Sequence, residues 1–259
     1  MAESTSWLRQ TGDKPVFPDV LWSRPENRRH AGKLMIAGGH AQSFSAPSKA
    51  FLAASKAGAG TVRVLLPNSL QKMVGKAFPE AEFAASTPIG SYGRQALEPF
   101  LDLANWSDGV LLAGDFGKNS ETAILLDDFI GKYTGGLSLY GDSIDYFISS
   151  PDKLTERNST VVIATFSQLQ KLAAPYALLR QTADLAQVVN VLSEWSSLIK
   201  LEVVTEHSGQ IIVGCNGRVS TTLGSFDSIL AAYASVWRLQ QPEKPFEALT
   251  TAIYCYLQE

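Results

Sequence analysis

The chain has 259 residues, of which 45% are hydrophobic and 18% are charged, and its formal net charge is -3. This length and composition predict one globular domain with a substantial core, and they exclude wholesale disorder. Lys and Arg are scattered, so no basic face or polybasic run favours a nucleic acid or an anionic membrane as a partner. We therefore expect a small-molecule or protein partner.

Residues 1–27 form a polar segment with Pro15, Pro18 and Pro25 and no steady hydrophobic period. This pattern predicts an irregular N-terminal arm, followed by a domain over residues 28–259. The arm contains no apolar segment of the signal-peptide type, and no apolar run in the chain reaches the length of a membrane span. We therefore expect a cytoplasmic protein.

A β-loop-α-β unit follows the arm. Lys33–Ala37 (KLMIA) is a short apolar run that ends at Gly38 and Gly39, which predicts a buried strand and a tight turn. Pro47–Ala57 has apolar residues at helical spacing, and Thr61–Leu66 is a β-branched run. The length of the unit suits a parallel crossover.

The same alternation continues through the middle of the chain. It predicts strands at Asp108–Ala113, Leu137–Tyr140 and Thr160–Ala164, and helices at Glu121–Lys132, Ser167–Ala173 and, beyond an interruption at Pro175, Tyr176–Leu198. Strands that alternate with helices are typical of a parallel sheet covered on both faces. The predicted fold is a single α/β domain with a doubly wound, mostly parallel sheet.

Short β-rich runs replace this alternation after Lys200. They predict strands at Leu201–Thr205, Gln210–Val213 and Arg218–Thr222, with a strong hairpin signal at Asn216-Gly217. Two helices, at Ser225–Leu239 and Pro245–Leu257, are predicted to close the domain because their apolar residues have core spacing.

Ligands of a doubly wound sheet bind at the carboxyl ends of its strands, so the loops that follow strands are the candidate sites. The loop from Gly38 to Pro47 is neither a P-loop nor G-x-G-x-x-G, so its phosphate signal is weak, and a tight turn before a helix start is the alternative. In the loop Gly114–Lys118, Asp115 suits a cation and Lys118 a phosphate, unless both are simply solvated.

Two further loops carry carboxylates. Gly224–Asp227 precedes a helix, whose free N–H groups suit an anion and whose carboxylate is a candidate general base. The alternative is a helix cap, worth about 1 kcal/mol. In Gly141–Ser143, Asp142 suits a metal or a polar substrate, although an Asx turn is the commoner use.

The cysteines and histidines of the chain do not form a metal-binding pattern. Cys215 and Cys255 lie far apart, and His30, His40 and His207 are equally dispersed. We predict free, mostly buried thiols and no metal site built from protein ligands.

Taken in chain order, these segments resemble the ADP/ATP-dependent NAD(P)H-hydrate dehydratases of the ribokinase-like superfamily, over roughly residues 28–257. The most specific match is His30–Pro67 (HAGKLMIAGGHAQSFSAPSKAFLAASKAGAGTVRVLLP). It is similar to the family's G-[RK] and hydrophobic strand, G-G, G-A-P, helix, G-A-G and strand. The match continues at Ala113–Gly117 (AGDFG, family G-P-G-L-G), Tyr140–Ile144 (YGDSI, family D-A-D-x-L) and Gly224–Asp227 (GSFD, family G-S-G-D).

The resemblance implies a ribokinase-like fold and an ATP- or ADP-dependent dehydration of hydrated NADH or NADPH, which repairs a damaged cofactor. It implies that Asp227 is the catalytic base, that amides at the start of the last helix pair hold the nucleotide, and that Mg²⁺ partly neutralises the nucleotide. The family's nucleotide-site positions fall on Gly38, Gly39, Ala46, Pro47, Gly114, Gly117, Asp142, Gly224 and Ser225. Because such proteins assemble from several copies, we also expect a homo-oligomer, with the aromatic residues of the arm, Trp7, Phe17 and Trp22, contributing to it.

Several positions depart from the family pattern. Ser45 replaces the first Gly of G-A-P, and Tyr140 replaces the first acid of D-A-D-x-L. Phe226 places a side chain where the backbone approaches an anion. Ala164–Gln168 (ATFSQ) lacks the His and Glu of P-H-x-G-E, and Thr205–Gly209 (TEHSG) lacks the Lys of K-G-x-x-T. Three functions stay open: an active dehydratase, a non-catalytic relative that binds a nucleotide or a protein partner, and a small-molecule kinase.

Overall fold

The structure is a computed structural model that describes residues 7–176 and 184–259. Its strands, numbered in chain order, are β1 (Trp7–Gln10), β2 (Lys33–Ala37), β3 (Thr61–Pro67), β4 (Ala81–Ala84), β5 (Gly109–Leu112), β6 (Gly136–Tyr140), β7 (Thr160–Thr165), β8 (Leu201–His207), β9 (Gln210–Cys215) and β10 (Arg218–Leu223). They form one ten-stranded sheet in the order β1-β10-β9-β8-β7-β6-β5-β2-β3-β4. Only β9 runs against both of its neighbours, so the sheet is mostly parallel, as predicted.

Helices cover both faces of this sheet. They are α1 (Pro18–Trp22), α2 (Ser45–Lys56), α3 (Gln71–Val74), α4 (Leu97–Trp106), α5 (Ser120–Lys132), α6 (Asp152–Thr155), α7 (Phe166–Leu172), α8 (Leu185–Leu198), α9 (Ser228–Gln240) and α10 (Pro245–Tyr256). Short 3₁₀ helices occur at Arg28–His30, Asn68–Leu70, Arg94–Ala96, Gly141–Ser143, Asp145–Phe147 and Ala174–Tyr176.

Two hydrophobic cores lie on opposite faces of the sheet. One contains the buried side chains of α4, α5 and α8, such as Phe100, Phe129 and Trp195. The other contains those of α2, α9 and α10, such as Trp237 and Phe246. Central strands buried on both faces have continuous apolar sequences, which explains why the sequence predicts them well. The prediction of a doubly wound sheet is confirmed.

The chain reverses its direction of winding between β2 and β5, which are neighbours in the sheet. The loops after these two strands therefore lie side by side, and the amide of Gly39 donates to the carbonyl of Gly114 at 3.1 Å. A Cβ atom on Gly38 would lie 2.3 Å from the same carbonyl oxygen, so only glycine fits there. This crevice is the topological switch point, where ligands of such sheets bind.

The N-terminal arm differs from the predicted irregular segment. Trp7–Gln10 is a strand that pairs in parallel with β10, with Trp7 opposite Val219. The Gln10 amide nitrogen donates to the carbonyl of Thr250 at 2.9 Å, which anchors the strand on α10. These partners lie far away in sequence, so no local period reveals the strand.

Other boundaries also differ from the predictions. The helix predicted from Ser225 begins at Ser228, because Asp227 has an extended backbone and caps it. Between Pro67 and Asp108, where no element is predicted, the structure has α3, β4 and α4. Of the helix predicted over Tyr176–Leu198, α8 is present, and residues 177–183 lie outside the described residues.

The thiols are free, as predicted: Cys215 is buried and Cys255 is partly buried. Burial raises the pKa of Cys215 to about 12, so it is a packing residue rather than a nucleophile. In the two described stretches of the chain, no helix is both long enough and apolar enough to cross a membrane.

Candidate functional site

The predicted site residues lie at the carboxyl ends of the strands, in two groups. The first group joins the loop from Gly38 to Pro47, the turn Gly114–Gly117 and Asp142 at the switch point. The second group is Gly224–Asp227 at the start of α9. Chain order separates these segments widely, and the parallel sheet brings them to one edge.

Asp115 links the two loops of the first group. Its φ of 60° turns the residue so that Oδ2 accepts a hydrogen bond from the amide of Ala46 at 2.8 Å. Ala46 lies in the first turn of α2, where the helix dipole favours an anion. His40 Nδ1 lies 3.0 Å from the carbonyl oxygen of Asp115. The start of α2 therefore already holds a carboxylate of the chain itself.

Asp142 closes the turn after β5 in the same way. Its two carboxylate oxygens accept hydrogen bonds from the amides of Phe116, at 3.1 Å, and Gly117, at 2.9 Å. Burial raises the pKa of Asp142, and the two amide donors oppose that rise. The amides of Phe116 and Gly117 are thus satisfied without a ligand.

The second group lies at the start of α9. Oδ1 of Asp227 accepts from the amide of Ile229 at 2.8 Å, which makes Asp227 the N-cap of the helix. The amide of Phe226 points at Oε2 of Glu206 at 3.4 Å, and the carbonyl of Ser225 accepts from the Tyr256 hydroxyl at 3.2 Å. At this helix start too, carboxylates of the chain face the amides.

Tyr140 lies near a residue of each group. Burial raises the pKa of its hydroxyl, and the negative charges of Asp227 and Asp115 raise it further. Its ring meets that of Phe226 edge to face, with centroids 6.3 Å apart. Tyr140 therefore places an aromatic side chain near both Asp227 and Asp115, at the position where the family pattern has an acid.

A cavity of about 330 Å³ opens beside Tyr140, which is within the size range of small-molecule sites. Its lining comes from the ends of β6, β7 and β8, the start of α7 and the segment before α9: Tyr140, Gly141, Ile163, Thr165, Phe166, Gln168, Glu206 and Phe226. A smaller cavity of about 140 Å³, with Gly109, Gly136 and Arg238 in its wall, lies at the opposite edge of the sheet and contains none of the predicted site residues.

The charge at this edge of the sheet is negative. Its carboxylates are Asp115, Asp142, Asp145, Glu206 and Asp227, and none of them forms an ion pair with a Lys or Arg of the described residues. Over residues 7–176 and 184–259, no group of three or more His, Cys, Asp or Glu side chains is placed to hold a metal ion. Lys118, which directly follows the turn after β5, is exposed and forms none of the ion pairs of the described residues. A triphosphate at this edge would meet five carboxylates and this one lysine.

Gln168, which stands where the family has Glu, has a structural role. It forms a capping box with Thr165 at the start of α7, and its Nε2 donates to the carbonyl of Gly141 and to Asp145, both at 2.9 Å. The sequence T-x-x-Q carries this signal.

Glu206 and Phe166, which line the cavity, are not among the predicted site residues.

No family model matches this chain. The bifunctional NAD(P)H-hydrate repair enzyme of Moorella thermoacetica is 22% identical to it over 213 residues, which is 79% of this chain and 40% of that enzyme. The chain thus spans well under half the length of the curated relative it matches. The predicted resemblance is confirmed as a distant similarity.

Solved structures resemble this chain more closely in fold than in sequence. A ribokinase-like superfamily protein from Enterococcus faecalis has a TM-score of 0.76 at 15% identity, over 100% of this chain and 88% of that one. The chain has a ribokinase-like fold. The ADP/ATP-dependent NAD(P)H-hydrate dehydratase of Bacillus subtilis, co-crystallised with ATP and Mg²⁺ and soaked with CoA, matches this ribokinase-like chain with a TM-score of 0.62 at 14% identity, over 93% and 87% of the two chains.

Proposed function

We propose that this chain is an NAD(P)H-hydrate dehydratase-like protein that binds a small ligand beside Asp227 without ATP- or ADP-dependent turnover. One observation carries the proposal: carboxylates of the chain already face the backbone amides at the starts of α2 and α9. A nucleotide phosphate would have to displace Asp115 or Glu206 from those amides. Each displaced carboxylate would then lie beside the phosphate and repel it.

The residues at this edge do not fit a nucleotide with Mg²⁺. Phe226 adds a side chain to the segment whose amides would approach the phosphate. The family's Lys has no equivalent in Thr205–Gly209. For these reasons we assign no catalytic step to ATP, ADP or Mg²⁺ in this protein.

The second candidate is an active dehydratase, and the position of Asp227 favours it. This carboxylate stands at the start of α9, at the carboxyl edge of the sheet, where the matching family motif has its acid. As a general base it would accept a proton from hydrated NADH or NADPH while water leaves. Among the described residues, its carboxylate accepts one hydrogen bond, from Ile229 to Oδ1, and Oδ2 is left for such a role.

The substitution Asp227→Asn separates the two candidates. Asn is as good an N-cap as Asp, so we expect the free energy of unfolding to change by less than about 1 kcal/mol. We expect no turnover of hydrated NADPH with MgATP or MgADP in either the wild-type protein or the variant. Wild-type turnover that Asp227→Asn abolishes would replace our proposal with the active dehydratase.

Nucleotide binding should increase when the Phe226 side chain and the Glu206 charge are removed from the start of α9. We expect the double variant Phe226→Gly, Glu206→Gln to bind MgADP at least about tenfold more tightly than the wild-type protein, because it removes the bulky side chain beside the amides and a negative charge. Calorimetric titration measures the difference. The matched control is Phe78→Leu, Glu194→Gln, whose residues lie outside the site, and it should behave as wild type. Equal binding by all three proteins would contradict this account of Phe226 and Glu206.

A further inference from the structure

The cavity beside Tyr140 has aromatic walls. Phe166, Phe226 and Tyr140 all line it, with Ile163 as an apolar neighbour. The Tyr140 and Phe226 rings are inclined by 71° to each other, so the cavity is bounded by ring faces and edges at different angles. Phe166 packs against His207, with ring centroids 4.6 Å apart. Such walls suit a flat ring more than a flexible chain.

The polar groups of the cavity differ in their availability. Thr165 and Gln168 satisfy each other in the capping box, and Gln168 also bonds Gly141 and Asp145. Glu206, by contrast, accepts only the 3.4 Å contact from Phe226, and the Tyr140 hydroxyl has no hydrogen-bond partner among the described residues. A carboxylate and a phenol hydroxyl therefore remain for a ligand.

The charged lining of the cavity is acidic. Glu206 lines it, and no Lys, Arg or His belongs to its lining within the part of the chain that the structure describes. The neighbouring charges of Asp227 and Asp115 reach the Tyr140 hydroxyl. A negative pocket with aromatic faces attracts a cation twice, by direct charge attraction and through the ring quadrupoles.

We propose that this cavity binds a flat heteroaromatic cation of about one six-membered ring, with Glu206 facing the positive charge and Phe166 and Phe226 stacked against the ring. A pyridinium has this chemistry. The inference rests on the proposed function in one respect, namely that nucleotide phosphates do not fill the same edge of the sheet. It goes further because it names the charge and shape of the ligand, which the resemblance to the dehydratases does not supply.

Three probes of nearly the same ring size and different charge test the proposal: 1-methylnicotinamide (cation), nicotinamide (neutral) and nicotinate (anion). Titration of the full chain, followed by calorimetry or by NMR of the ligand, gives the three affinities. We expect the cation to bind at least about tenfold more tightly than the neutral amide, and the anion not to bind. Glu206→Gln should weaken binding of the cation at least about tenfold and so remove its preference over nicotinamide.

Two further proteins make the test specific. Glu194→Gln changes an exposed carboxylate on α8 and should retain the preference for the cation. Phe166→Leu keeps an apolar side chain and removes the ring face. It should weaken binding of the cation more than binding of the neutral amide. Equal affinities for cation and amide, or no binding of any probe by a protein whose cooperative unfolding shows it to be folded, would overturn the proposal. Titration of the same sample with MgATP tests the proposed function separately. ATP binding would contradict the account of the nucleotide edge, whereas the ranking of the three ring probes alone decides the cation preference.

Discussion

Gly38→Ala should lower the free energy of unfolding by about 2 to 3 kcal/mol, the cost typical of overpacking a rigid core. The reason is steric: the added Cβ would lie 2.3 Å from the carbonyl oxygen of Gly114, which is backbone and cannot rotate away. Separating the two loops would also weaken the hydrogen bond from Gly39 to Gly114. Urea unfolding followed by circular dichroism measures the loss.

Gly131→Ala is the matched control for this substitution. Gly131 lies in α5, and a Cβ atom added there would meet nothing within 4 Å. Alanine is the better helix former, so we expect a gain of up to about 1 kcal/mol. If the two variants had the same stability, our description of the close approach between the two loops at the switch point would be wrong.

The second large effect is expected for Asp142→Ala. The substitution leaves the amides of Phe116 and Gly117 without their acceptors, and each unpaired amide costs about 1 to 3 kcal/mol. Phe116 is fully buried, so water cannot readily replace the carboxylate there. We expect a loss of at least about 2 kcal/mol, together with much faster hydrogen exchange at these two amides.

Hydrogen exchange distinguishes this mechanism from general destabilisation. Asp102→Ala, at an exposed position of α4, is the control and should leave both the stability and the exchange of the Phe116 and Gly117 amides near their wild-type values. Protected amides in Asp142→Ala would mean that another group accepts their hydrogen bonds, and our description of the turn would then be wrong.

The central strands were predictable because they are buried on both faces. Lys33–Ala37 has the predicted bounds, since a continuous apolar run between a charge and two glycines has few other uses. β1 was not predictable, since its four residues, WLRQ, become a strand only through pairing with β10. Its stability comes from tertiary contacts that no local pattern contains.

For the candidate site, sequence motifs predicted which residues lie at the carboxyl edge of the sheet, and only the structure shows which hydrogen bonds these residues form. Asp142 and Asp227 stand at the carboxyl edge of the sheet, as their place after a strand and before a helix indicates. That Asp115 accepts the amide of Ala46 depends on a contact between residues 69 positions apart. Glu206 is the clearest omission, because a glutamate near the end of a strand has no local feature that marks it as a pocket residue.

The pairing of β1 with β10 also constrains how the molecule can be made. During synthesis the strand at Trp7–Gln10 leaves the ribosome long before its partner β10, in which Gln10 bonds a residue 212 positions away. Contacts of such long range form slowly because a large loop must close first. The arm therefore remains unpaired until β10 has been synthesised, and its docking onto β10 follows the synthesis of the other nine strands.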